Sequence, residues 1–457
     1  MKRKCNISIS AVMVILIAAL LVLKVFDIKI YRTPEKVIRW DVINFYSYLP
    51  AAFIEHDLTL AFAKNDIGRY ICSDHYWPEI LPDSSMVIKT TMGLSMLYCP
   101  FFLIANTLAE PLGYTPDGFS PPYTLSLILA CVFWVALGFV YLRKLLLRQF
   151  SEVVTTIVLA VTLFATNLYW YSSYEAPYAH GFLFGLFCIF LWQTERWHEK
   201  SSWWCTVAIG LNLGLITLIR PTDALVLLYF MLYDVTSWKR LKGKANLYLQ
   251  QWPKVIVMGL SAIVMWVPQI IYWHVVTGHL FFYSYTNNER FFWTQPKIIE
   301  FLFSFRKGWL IYTPVMAFAI LGLIPLYKRH RSYFYPILLF LVINIYMLSC
   351  WWCWWFGGSF GQRSMVDCYG MLAIPMAAFV EWLLKRKTVP RIVLIVVFAA
   401  VSYLSFFHYR QYKHEAIHCA AMTKEAYFDS FGHTHPSDRF WELLDEPNYE
   451  AAKQGIR

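Results

Sequence analysis

Long apolar runs divide this chain, and no other feature limits its fold so strongly. Eleven stretches lie at 8–26, 122–142, 153–171, 177–195, 203–219, 221–238, 254–273, 309–327, 333–350, 364–384 and 391–408. Each has about the 17–25 residues that a spanning helix needs. A soluble globule could not hide them. Hydrophobic residues make up 58% of the 457 and charged residues 15%, against about 45–50% and about 25% in soluble domains. The same balance excludes disorder. In a bilayer each backbone polar group must be satisfied within its own segment, so these runs are expected to be helices. The expected fold class is an all-α polytopic membrane protein with about eleven transmembrane helices.

Charge sets the orientation. Lys and Arg number 40 against 29 Asp and Glu. Half of the 40 fall in six short segments, 1–7, 143–152, 195–202, 236–254, 328–332 and 385–391, each beside an apolar run. That is the positive-inside pattern, and it argues against nucleic acid as a partner. It places the N-terminus inside and the C-terminus outside. Residues 8–26, after the basic KRK at 2–4, read as an uncleaved anchor. The apolar segment 91–109 would invert every later basic loop if it crossed, so it is expected to enter or lie on the outer leaflet. The outer side then receives a first loop at 27–121 carrying interfacial helices, a second long loop at 274–308, a Trp/Gly loop at 351–363 and a tail at 409–457. The membrane module spans 1–408.

Candidate chemistry gathers in the outer segments. Asp41, in IRWDVINFYSYLPAAF, sits among Trp40, Phe45, Tyr46 and Tyr48, aromatics that suit an interfacial helix. Its carboxylate is placed to be a general base, or is simply a solvated charge or helix cap. Lys89 can hold a lipid phosphate or only snorkel. The turn YSSYEAPYAHG carries Glu175, Tyr178 and His180, an acid–base pair or two metal ligands lacking a third. Arg220, in LIRPTDA, either binds phosphate or pairs with Asp223. Arg306 and Lys307, in FSFRKGWLIYTP, are paired cations that suit a phosphate. In CWWCWWFGGSFGQRS, Trp355 and its neighbours anchor the chain or offer a face to sugar C–H surfaces. The glycines there can cradle an anion beside Arg363. A single cavity is expected, lined by Asp41, Lys89, Glu175, His180, Arg306 and Lys307. The ten cysteines are scattered. Cys350 and Cys353 read as interface packing, and Cys72, Cys99 and Cys419 can meet outside the membrane. No Walker A or G-x-G-x-x-G string is present, which argues against an ATP-driven pump.

Taken in order along one face, these strings resemble the GT-C superfamily of polytopic glycosyltransferases, and its bacterial aminoarabinose and protein-mannosyl transferases in particular. The resemblance rests on Asp41 in the first outer loop and the K-x-x-x-G string from Lys89 to Gly93. It rests also on the RPT turn at Arg220, the R-x-G…P string from Arg306 to Pro314, and W-W-x-G-G-S-F-G-x-R ending at Arg363. Two departures stand out. Thr90 and Thr91 follow Lys89 where those enzymes carry prolines, and Asp41 has no adjacent acid. These leave metal use and acceptor class open.

The resemblance implies a GT-C-like fold over most of 8–408. It implies a polyprenyl-phosphate-linked sugar as donor and a glycan, lipid or protein as acceptor, in a bacterial inner membrane with the site on the extracytoplasmic face. Asp41 would accept the acceptor's proton in an inverting displacement. Lys89, Arg306, Lys307, Arg363 and Arg220 would hold the departing lipid phosphate. Glu175, His180, Tyr178 and Trp355 would line the substrate. No certain cofactor is implied; a divalent metal is left open. The rival readings are an O-antigen-type polymerase or ligase, which would rest on outer-loop arginines, and a lipid-linked-sugar flippase or transporter, which expects charges deep in several spans.

Overall fold

The computed structural model describes residues 8–62, 78–81, 86–285 and 289–457. The basic start of the chain, Cys72 and part of the first loop lie outside them. The described chain is helical. Its long helices are α1 (Ile9–Ile28), α2 (Gly93–Ala109), α3 (Pro121–Leu146), α4 (Glu152–Phe164), α5 (Ala179–Glu199), α6 (Trp203–Ile219), α7 (Trp238–Gln250), α8 (Trp252–Thr277), α9 (Met316–Arg329), α10 (Arg331–Cys350), α11 (Tyr369–Leu384) and α12 (Thr388–Lys413). One two-residue hairpin, Glu79–Ile80 against Met86–Val87, is the only sheet among the described residues.

Six segments are long and apolar enough to cross a membrane: α1, α3, α8, α10, α12 and the stretch Arg363–Leu384 that contains α11. Of the Arg363–Leu384 apolar window, 89% is buried, against 17% for α12. The former is therefore a central strut, and α12 leaves most of its apolar surface for lipid. Each remaining expected span also meets helix; 177–195 and 203–219 do so unbroken, and the other three break. The 153–171 run stays helical only to Phe164. Beyond it, the Asn167 side chain donates to the Phe360 carbonyl at 3.1 Å and accepts from the Tyr369 hydroxyl at 2.7 Å. A short polar side chain captured in this way competes with helix continuation. The 309–327 run breaks into Trp309–Tyr312 and α9 around Pro314, which has no N–H to give. The 221–238 run starts as a 3-10 turn at Pro221–Val226 and ends at Leu232.

Close helix contacts rest on small residues. In α6, Gly210 and Gly214 form a G-x-x-x-G step against α8. A Cβ on Gly214 would lie 2.6 Å from the Ala262 carbonyl oxygen, and one on Gly210 2.6 Å from the Ser261 Cβ. In lipid, where tails are as apolar as side chains, such backbone approach supplies the packing that holds helices together.

Side-chain pairs sort the helix ends into two groups. At one end, Ser8 beside α1 donates to Glu152 of α4 at 2.9 Å, and Arg143 of α3 donates to Ser10 at 2.7 Å. At that same end Arg148 pairs with Glu195 of α5 at 2.6 Å. The opposite end holds the irregular segments around 165–178, 220–226 and 351–368. Helix α2 starts at this opposite end, with Gly93 on the backbone of Leu218 and Ile219 where α6 finishes. Near its other end, Asn106 accepts from Tyr123 at 2.5 Å, in the first turn of α3. Both of its ends thus meet helix termini of one group.

The segment around Asp41 differs from expectation. It forms two short helices, Asp41–Tyr46 and Tyr48–Phe53, but they are not laid open at a surface. Val42, Ile43, Phe45, Tyr46, Tyr48 and Leu49 are buried within the protein. The Tyr46 hydroxyl bonds the Gly118 carbonyl and the Ser95 hydroxyl bonds the Phe45 carbonyl, which ties the pair of helices to the rest of the first loop.

Candidate functional site

Four irregular segments converge where the helices stop, and their charged side chains interlock. Asp41 opens its short helix, and its Oδ2 lies 2.9 Å from the Arg363 guanidinium. Arg363 starts a 3-10 turn that runs directly into α11. Its guanidinium stands 5.7 Å from the centre of the Tyr178 ring, a cation over an aromatic face. Four residues on, Asp367 is almost fully buried and holds two partners. Its Oδ2 is 2.6 Å from Arg220 and its Oδ1 is 2.8 Å from His180 Nδ1. His180, in the first turn of α5, also meets the Tyr171 ring edge-on at 5.1 Å. Asp223 lies next to Arg220, and its Oδ2 is buried without a hydrogen bond. Arg220 thus pairs with Asp367 rather than with Asp223. Stripping one partner from a buried ion pair costs about 3–5 kcal/mol, several times the worth of a surface pair.

The neighbouring cations have their own holders. Lys307 is buried to 1% exposure and donates to the Ser359 carbonyl in the Gly loop. Burial pushes its ammonium down to about 7, and the nearby Arg363 charge works in the same direction. Burial raises the Glu175 carboxyl, while Arg363, Arg39 and Lys307 pull it back. Lys89 pairs with Glu289 at 3.0 Å and stands 5.2 Å from the Tyr285 ring centre. Burial lifts the Tyr285 hydroxyl to about 12, with the negative charges of Asp41 and Glu289 adding to it.

Two expected residues stand apart. Arg306 turns to the tail, where it donates to the Ala420 and Asp445 carbonyls at 3.1 and 2.9 Å and pairs with the Asp445 carboxylate at 2.9 Å. Trp355 is buried against Tyr449 of the tail, 5.7 Å between ring centres. A cleft of about 380 Å³ lies between the 299–306 segment and the tail, lined by Ser304, Phe305, Arg306, Lys424 and Asp445. None of Asp41, Lys89, Glu175, His180 or Lys307 lines it. Arg306 lines this cleft because its contacts with the tail hold it there.

Among the described residues no three His, Cys, Asp or Glu side chains form a metal-holding group. Asp41 faces a guanidinium, and both Asp367 oxygens are taken by His180 and Arg220. Among the described residues, those at the site do not make a divalent-metal donor set. Cys350, Cys353, Cys99 and Cys419 are all free thiols.

The sequence reading passed over Asp367, Glu289 and Tyr285. Asp367 carried a signal: it is a carboxylate near the edge of the apolar run 364–384, and ionisable residues there are costly unless they do something. Glu289 and Tyr285 gave none, being ordinary loop residues until the fold sets them beside Lys89. No protein-family model matches the chain, and no curated protein matches it in sequence.

Proposed function

We propose that the protein is an integral-membrane glycosyltransferase that moves a sugar from a polyprenyl-phosphate donor to an extracytoplasmic glycan, lipid or protein acceptor. In this reading the chain crosses a bacterial inner membrane eleven times, N-terminus in, with the Asp41 end outside. The observation that carries the reading is the 2.9 Å pairing of Asp41 with Arg363 in a cluster that also holds Arg220 and Lys307. A base and an anion-binding group side by side are what the displacement requires. The acceptor hydroxyl attacks the anomeric carbon, and Asp41 takes its proton. The bond from that carbon to the phosphate oxygen breaks, and the lipid phosphate leaves toward Arg363 and Arg220. Phosphate leaves without needing a proton, so one carboxylate suffices.

The polymerase or ligase reading draws on the same two arginines but gives Asp41 no part. Donor binding tests the reading shared by both enzymes. Purified protein should bind a polyprenyl-phosphate-linked sugar, and Arg363→Ala should weaken binding by about 1.5–3 kcal/mol, the worth of a hydrogen bond to a charged group. No binding by the folded wild-type protein would remove the donor class.

A further inference from the structure

At the end of the molecule away from Asp41, helix α7 has no buried residue along its 13 positions. The segment 236–254 that contains it holds five Lys or Arg and no Asp or Glu. One side of α7 is docked. The Tyr248 hydroxyl donates to the Phe230 carbonyl at 2.9 Å, and its ring stacks on Phe230 at 5.7 Å. Lys244 reaches the Tyr233 ring at 5.8 Å. The other side is open and presents Lys239, Arg240 and Lys242 with Trp238 and Leu249, which are 70% and 72% exposed. Arg240 reaches Asp234 at 3.3 Å, but Lys239 and Lys242 make no ion pair among the described residues.

The surroundings say what lies over this face. Trp203, Trp204 and Trp252, all exposed, stand at the starts of α6 and α8, and Lys254 packs on Trp203 at 5.6 Å. From there α8 turns Ile256, Leu260, Ile263 and Val264 outward, each at least half exposed. A bilayer that covers this apolar strip brings its headgroups to the Trp ring and to α7. Trp at that level is the usual interfacial belt. Unpaired cations on an exposed amphipathic helix at headgroup depth complement negative lipid, and the acidic side chains nearby are already engaged: Asp234 by Arg240 and Ser332, Glu199 by Arg148 and Arg196.

We infer that α7 is a surface that binds anionic phospholipid headgroups, with the unpaired Lys239 and Lys242 as the main contacts and Arg240, shared with Asp234, beside them. The inference stands independently of the reaction at the other end. The test uses the full chain in nanodiscs of phosphatidylcholine alone, or with about 30% phosphatidylglycerol, followed by hydrogen exchange of the 238–250 peptide. Exchange should slow by about threefold or more in the anionic discs, since each cation near such a surface contributes measurably. Raising NaCl from about 0.05 to about 0.5 M should erase the difference through screening. K239Q/R240Q/K242Q should erase it at low salt, whereas K385Q/K387Q should not. Equal exchange in both lipids would overturn the inference, as would a salt-insensitive difference or one that survives the triple substitution. Protection by soluble polyglutamate in neutral discs, without any from phosphatidylglycerol, would also overturn it and point to an acidic protein.

Discussion

Burial decides how individual charges behave in this protein. Lys307 is the sharpest case, because its ammonium is sealed under the Gly loop and lowered to about 7. Between there and the ordinary lysine value of 10.5, the unfolded chain binds a proton that the folded chain does not. Stability from this group therefore rises with pH through that window and falls as pH drops toward 7. Lys307→Met should flatten the rise. Thermal unfolding at about pH 7.5 and about pH 9.5, wild type against variant, checks it, and equal slopes would show that Lys307 stays charged. The residue scale is also where the sequence was most and least readable. Asp41 and Arg363 were singled out from separate strings, and they touch. Arg306 was singled out for its charge and belongs to the tail, because no local pattern announces that Asp445 will fold back on it from 139 positions away.

Elements were legible where the cause of an element is local. Every expected apolar run meets helix, since twenty apolar residues leave the backbone few other options in lipid. Pro314 and Pro221 mark breaks by the rule that proline lacks a donor. The early end of α4 was not legible, because it depends on Asn167 finding Phe360 and Tyr369, residues nearly two hundred positions away. The G-x-x-x-G step in α6 was present in the string GLNLG, but only its fit against α8 shows which face it serves. That fit predicts a contrast between two glycines in one helix pair. Gly210→Leu should destabilise by about 1–3 kcal/mol or more, as overpacking does. Gly259→Ala has open space around it and should be neutral or stabilise by about 0.5–1 kcal/mol through helix propensity. Denaturation of the detergent-solubilised protein measures both. Equal effects would mean that α6 and α8 do not approach as described.

Across the whole molecule, the Asp41 cluster and the basic helix α7 sit at opposite ends. One end carries Asp41, Arg363, Asp367 and the tail; the other carries Arg143, Arg148, Glu195 and the basic helix α7. If the first end faces outward, Gln149→Cys should resist an impermeant thiol reagent in intact cells and Glu446→Cys should react, each in a background with Cys72, Cys99 and Cys419 changed to Ser. Both side chains are exposed, so burial does not confuse the outcome. Reversed labelling would invert the orientation of every helix and move the site to the inside.

The most direct measurement is turnover by Asp41→Asn. Asn keeps the shape but removes the base and the negative charge facing Arg363. With purified protein, a polyprenyl-phosphate-linked sugar and a lipid acceptor, transfer should fall by about 10²–10⁴-fold, the usual worth of a positioned base. Donor binding should change far less, because the loss is confined to the transition state. Wild-type-like turnover by the folded variant would take Asp41 out of the reaction and contradict the account at its centre.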